Sequence, residues 1–189
     1  MSFRQPVPSV YGLILAGFLL GMGWFLFSPG FPAAGDVFFH VRFARDFFES
    51  ALEKNGYPDW DSRPYDGKGT SAFRFYAPLA YIVSGCFQGA GVSVSLSLKL
   101  TILLFALAGG WGAWQWLRSL GQPEPAAGVG AALFFLNPVL MLHCFFTFFF
   151  QNLCAMLLFP LVLAGLARAE KESAPGGGMR LAAIGMGLV

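Results

Sequence analysis

Residues 75–91 read "FYAPLAYIVSGCFQGAG", and whether this stretch crosses a bilayer decides how the rest of the chain is threaded. It is apolar over only about 14 residues, against the roughly 20 that a crossing helix needs. Pro78 stands near its start, and Tyr76 and Tyr81 lie at the same end. If the stretch crossed, Arg118 and the loop carrying Arg168, Lys171 and Arg180 would fall outside, against the positive-inside tendency. If it instead lies along the interface over about residues 77–90, those cations and Arg4 all fall on the cytoplasmic side. Its shortness, proline and tyrosines suit the interfacial placement, which is adopted here.

Outward from this stretch the chain is dominated by apolar runs. It has 189 residues, 56% of them hydrophobic and only 12% charged, where a soluble domain carries about 25% charged residues. Spans are expected at about 10–28, 95–118, 125–142 and 150–168, with another beginning near 180. The expected fold is an all-α polytopic membrane protein with a single membrane domain over residues 1–189 and a long outside loop over about 28–94. The last apolar piece, "LAAIGMGLV", covers only roughly 14 Å of a 30 Å bilayer core. The chain is therefore expected to be the N-terminal part of a longer protein. Arg4 and "FPAAG" have the ingredients of a signal peptide, but an apolar run of about 18 residues exceeds the usual 7–15, so a retained helix is expected. A net charge of +2 with no basic run argues against a nucleic-acid partner. Cys86, Cys144 and Cys154 show no CxxC or zinc spacing and are expected to be buried thiols.

Polar chemistry concentrates in the outside loop. Seven acidic residues lie between Asp36 and Asp66, and six basic ones between Arg42 and Arg74. Phe39, Phe43 and Phe47 recur every four residues, which predicts an amphipathic helix over 36–54 lying on the membrane surface with its phenylalanines down. Arg42–Asp46 and Arg45–Glu49 have the spacing of exposed ion pairs. Asp36 starts this helix. It is either a helix cap or a carboxylate that binds a metal or takes a proton from an acceptor hydroxyl. His40, one turn on, is either a partner of Asp36 or a base, and two such ligands are too few to specify a metal. Farther along, Trp60, Tyr65, Phe73 and Tyr76 interleave with Arg63, Lys68 and Arg74. That mixture suits headgroup anchoring or the phosphate of a lipid-linked ligand. "DGKG" lacks the spacing of a phosphate-binding P-loop. In "HCFFTFFFQNLCAM", Gln151 and Asn152 head an apolar helix, facing a cavity or capping the helix. Lys99, near the start of a span, is expected to snorkel.

Taken in order, these segments resemble the first outside loop of GT-C-type membrane glycosyltransferases. They are most similar to the bacterial membrane proteins labelled 6-pyruvoyl-tetrahydropterin synthase-related. The matching residues are Gly35, Asp36 and His40, then Pro58 and Trp60, Gly67 and Gly69, and Phe73, Phe75, Tyr76, Pro78, Leu79 and Tyr81. The similarity continues through "LFFLNP" and "LLFPLVLAGLARA".

The resemblance implies a bacterial inner-membrane protein with a cytoplasmic N-terminus. It further implies transfer of a sugar from a polyprenyl-phosphate donor at the outer face, with Asp36 as the catalytic acid–base residue. On this reading His40 assists Asp36, and Arg42, Trp60, Arg74, Tyr76, Gln151 and Asn152 bind substrate; a divalent metal at Asp36 is the cofactor to test. The relatives carry an "R-G-x-x-A-E" run in the second outside turn, where this chain has Thr147 and Asn152 in place of the Arg and the Glu. That departure keeps open a catalytically silent member that binds lipid or glycan or scaffolds an envelope assembly. A transporter subunit is a third class, disfavoured because the spans carry almost no ionisable residues.

Overall fold

The computed structural model describes residues 9–31 and 35–171. The protein is mostly helical and, among the described residues, its only strand-like pairing is an isolated antiparallel bridge between Asp61 and Thr70. The helices are α1 (Val10–Phe27), α2 (Val37–Lys54), α3 (Leu79–Gly89), α4 (Val94–Ser119), α5 (Glu124–Phe134), α6 (Pro138–Leu142) and α7 (Phe150–Lys171). A 3₁₀ turn (Ala72–Arg74) precedes α3, and a π-helical turn (His143–Thr147) links α6 to α7. The span expected near residue 180 and the basic groups Arg4 and Arg180 lie outside the described residues.

Among the described residues, three segments are long and apolar enough to cross a membrane: Val94–Ser119, Glu124–Thr147 and Phe150–Ala169. Helix α1 runs beside them and, with 18 residues, is about 27 Å long. The segment expected as one helix over 125–142 is broken at Asn137, whose backbone is extended (φ −61°, ψ 123°). The cause is Pro138, which excludes the helical region for the residue before it. Asn137 then restarts the helix by accepting the Val139 N–H at 2.8 Å.

Small residues set how the helices meet. A Cβ on Gly17 would lie 2.3 Å from the Ala132 carbonyl oxygen, and one on Gly21 2.4 Å from that of Phe135. This Gly-x-x-x-Gly pair lets the backbones of α1 and α5 touch, which is how helices associate where lipid removes the hydrophobic drive. Along α4, a Cβ on Gly109 would sit 1.7 Å from the Leu157 carbonyl oxygen, and one on Gly112 2.6 Å from the Leu161 nitrogen of α7. The order of these contacts makes α5 parallel to α1, and α7 parallel to α4. Helix α4 is antiparallel to α1, since Gly110 meets Ile14 while Lys99 meets the last turn of α1.

Lys99 does not snorkel. It is 4% exposed, donates from Nζ to the carbonyls of Ser28 (2.6 Å) and Leu26 (3.4 Å), and lies over the rings of Phe25 and Phe31. The carbonyls left free at a helix C-terminus carry the negative end of its dipole, so a cation fits there better than in lipid. The contact also fixes the threading. The chain leaves α1 at Ser28 and enters α4 at the same end of the bundle, so the loop between them begins and ends at that end. Helix α3, 11 residues long, reaches only about 16 Å. It packs between α2 and α4 at that end.

Candidate functional site

Helix α2 forms from an amphipathic sequence closed by Asn55 in the left-handed conformation (φ 52°), which suits its helix-ending position. Its phenylalanine face is covered by protein at Phe43 and Phe47, while Phe39 stays 43% exposed. Phe43 and Phe47 are buried against Phe73 and Tyr81, and Phe39 and Phe43 stack on Tyr76. Asp46, expected on an exposed face, is 2% exposed, with Oδ2 taking Arg42 Nε (3.3 Å) and Oδ1 taking Arg45 Nε (3.5 Å). Arg45 thus pairs with Asp46 rather than Glu49. Glu49 is engaged instead by Arg63, which also bonds Glu53, the Ser50 hydroxyl and the Asp46 carbonyl, and so straps the 58–72 loop onto α2.

Asp36 occupies the cap position of α2, but its side chain makes no capping bond and is exposed. Its backbone is fixed from outside the helix. Gly35 N–H donates to the Phe146 carbonyl (2.9 Å) and Asp36 N–H to that of Thr147 (3.1 Å). The start of the loop is therefore pinned to the π-helical turn, which ends in left-handed Phe148 (φ 47°).

His40 is 2% exposed and has both ring nitrogens engaged: Nε2 accepts the Phe150 N–H (3.3 Å), and Nδ1 faces the Tyr81 hydroxyl at 2.7 Å. An Nε2 that accepts leaves the proton on Nδ1, so the ring donates to Tyr81. Burial lowers the His40 pKa to about 4, offset in part by the charge of Asp36. His40 is thus a neutral clamp among α2, α3 and α7 rather than a base. It also has no nitrogen left for a metal, and the donor set around Asp36 does not fit a divalent cation. Among the described residues no group of three or more His, Cys, Asp or Glu could hold one.

Burial pushes the Tyr81 phenol up. The Gln151 amide lies near enough to that hydroxyl to act against the shift, yet its Nε2 is buried without a partner of hydrogen-bond geometry. Asn152 is exposed, inside α7 rather than at its cap. The structure therefore brings Asp36, His40 and Gln151 to one junction and leaves the other expected residues elsewhere. Arg42 lies one face over, paired with Asp46, and Tyr76 backs Phe39 and Phe43. Arg74 pairs with Asp59 at 3.1 Å, and Lys54 with Asp59 as well; together they hold the Asp59 carboxyl down to about 2, the Lys54 bond first. Trp60 is half exposed, its indole so close to Gly69 that a Cβ there would lie 2.4 Å from Nε1.

Two cavities open beside α2. One, of about 460 Å³, is almost wholly apolar and lies between α2 and α3, lined by Phe47, Phe48, Tyr57, Ile82, Gly85 and Cys86. Cys86 is exposed there, unlike buried Cys144 and Cys154. The other, of about 280 Å³, lies between α2 and the 58–72 loop. Asp36 lines neither.

Sequence reasoning missed Tyr81 as the partner of His40, the burial of Asp46 and the role of Lys99. The His40–Tyr81 and Lys99–Ser28 contacts join residues 41 and 71 positions apart, and no local pattern signals them. The Gly17–Gly21 spacing also went unread, although four-residue spacing of glycines in an apolar run is a signal that could have found it. Compared with known families, curated proteins and solved structures, the chain matches none.

Proposed function

We propose that the protein transfers a sugar from a polyprenyl-phosphate donor at the outer face of a bacterial inner membrane, with Asp36 as the base. The observation that carries this reading is the position of Asp36: an exposed carboxylate without a capping bond, pinned through its backbone where the first loop meets the π-helical turn. In the proposed step the acceptor oxygen attacks the anomeric carbon and its proton passes to the Asp36 carboxylate. The bond from that carbon to the donor phosphate breaks, and its electron pair leaves with the phosphate. His40 positions α2 against α3 and α7 and takes no part in the proton transfer. The apolar cavity between α2 and α3 supports the donor side, since an isoprenoid chain needs a dry groove open to the bilayer. Arg42 and Arg74 stay near the surface and are already paired with Asp46 and Asp59, so phosphate would have to compete for them.

A catalytically silent, ligand-binding membrane protein is the second reading, favoured by exposed Asn152 where an acidic residue is expected. The discriminating experiment is Asp36→Asn in the full-length protein, assayed for incorporation of radiolabelled sugar from a polyprenyl-phosphate donor. Loss of at least 100-fold is expected, at the low end of general-base effects of roughly 10²–10⁴. Transfer unchanged by the substitution removes Asp36 from the chemistry.

A further inference from the structure

We propose that His143, Thr147 and Phe148 are positioning residues: the turn they form holds Asp36 out of the helix-capping conformation and so keeps its carboxylate free for the acceptor. The role rests on the transferase reading and adds to it what holds the base in place.

An Asp at the start of a helix ordinarily takes an extended backbone and folds its carboxylate onto the free N–H groups of the first turn. Asp36 does not. Its backbone (φ −97°, ψ 11°) lies in the sparsely allowed region between helix and strand, and its side chain takes no first-turn N–H. Capping is what an Asp at this position favours by itself, so the departure is imposed from outside α2.

It is imposed by an exchange of hydrogen bonds. In an unbroken α-helix through this region the Phe146 carbonyl would take the Phe150 N–H, four residues on. Phe148 interrupts that path with a left-handed backbone (φ 47°, ψ 46°). The Phe150 N–H turns instead to His40 Nε2 (3.3 Å). The Phe146 and Thr147 carbonyls accept from the N–H groups of Gly35 (2.9 Å) and Asp36 (3.1 Å). One break thus grips the start of α2 at Gly35, Asp36 and His40, with groups of both polarities.

A left-handed backbone is costly for a bulky residue, and two features sustain it. The Phe148 ring is fully buried among Phe31, Phe25 and His40, with centroids 4.8, 5.8 and 6.0 Å away. The turn is also closed by the 2.9 Å bond between His143 Nδ1 and the Thr147 hydroxyl, with the imidazole lying against the Phe149 ring. Thr147 therefore serves twice: its side chain closes the turn, and its carbonyl holds Asp36.

The test uses the full-length protein purified in detergent, with two readouts. One is sugar transfer from a polyprenyl-phosphate donor, and the other is hydrogen exchange of the Gly35 and Asp36 amides. Thr147→Val and His143→Phe break the same bond from its two ends, so a folding defect in one variant leaves the other to decide. Each should lower kcat by about 10- to 100-fold with KM within about twofold, the pattern of a displaced catalytic group. Each should also speed exchange at the two amides by about tenfold. Thr147→Ser keeps the hydroxyl and should recover both properties. Unchanged exchange in Thr147→Val and His143→Phe overturns the proposal. So does an unchanged kcat in both where Asp36→Asn loses activity, or a loss that Thr147→Ser shares. If Asp36→Asn itself leaves transfer intact, the transferase reading falls, and exchange alone decides whether the turn holds Asp36.

Discussion

His40 ties three segments together at one point, and its chemistry makes that tie sensitive to pH. Its folded pKa of about 4 lies below the ordinary 6.5, so the folded state prefers the neutral ring. The contribution is complete above pH 6.5 and is lost as pH falls through 4, for a total of about 3 kcal/mol. The wild-type unfolding midpoint in detergent should fall markedly between pH 7.5 and 4.5. His40→Gln should start lower at pH 7.5 and show a flatter profile. Parallel profiles for the two proteins would assign the titration to another group. Asp36 behaves differently because its side chain faces water. Its substitution should affect turnover and leave stability within about 0.5 kcal/mol, as for other surface changes.

Helices α4 and α7 form the most intimate pair in the bundle, and glycine is the reason. Gly109→Val would drive a branched side chain into the Leu157 carbonyl, where even a Cβ would sit at 1.7 Å. The helices must separate, and a loss of about 3 kcal/mol or more is expected in unfolding of the purified protein. Gly23 is the control, since a Cβ there meets Leu19 at an ordinary 3.6 Å. Gly23→Ala should be neutral, or stabilising by up to about 1 kcal/mol through helix propensity. Equal effects at the two positions would mean that close backbone contact does not set this interface. Helix identities were plain from apolar run length and from the four-residue recurrence of phenylalanine in α2. The break before Pro138 belongs to the same local physics, although the apolar run continues through it.

At the scale of the molecule, Lys99 holding the end of α1 brings both ends of the loop to one side of the bundle. A cysteine placed on the loop reports which side of the membrane that is. Lys68 is exposed on the loop, whereas Cys86 lines the apolar cavity and Cys144 and Cys154 are buried. A membrane-impermeant maleimide applied to intact cells should label Lys68→Cys in a Cys86→Ser background and not the Cys86→Ser protein alone. Labelling that requires permeabilised cells would put the loop in the cytoplasm and remove the outward-facing site. The two cavities flanking α2 also arise at this scale, because each needs α2 and a segment distant in the sequence.

The amino-acid sequence determined the helical class, the membrane setting and the polar loop between the first two apolar runs. These follow from composition and short-range periodicity, which act wherever the chain is placed. Only the tertiary structure decided which polar groups are buried. It turned His40 into a clamp, placed Asp46 beneath two arginines, drew Lys99 into the end of α1 and left Asp36 in water. Burial and partnership depend on what arrives from tens of residues away, and the free energy of a charge is set by those surroundings rather than by its neighbours along the chain.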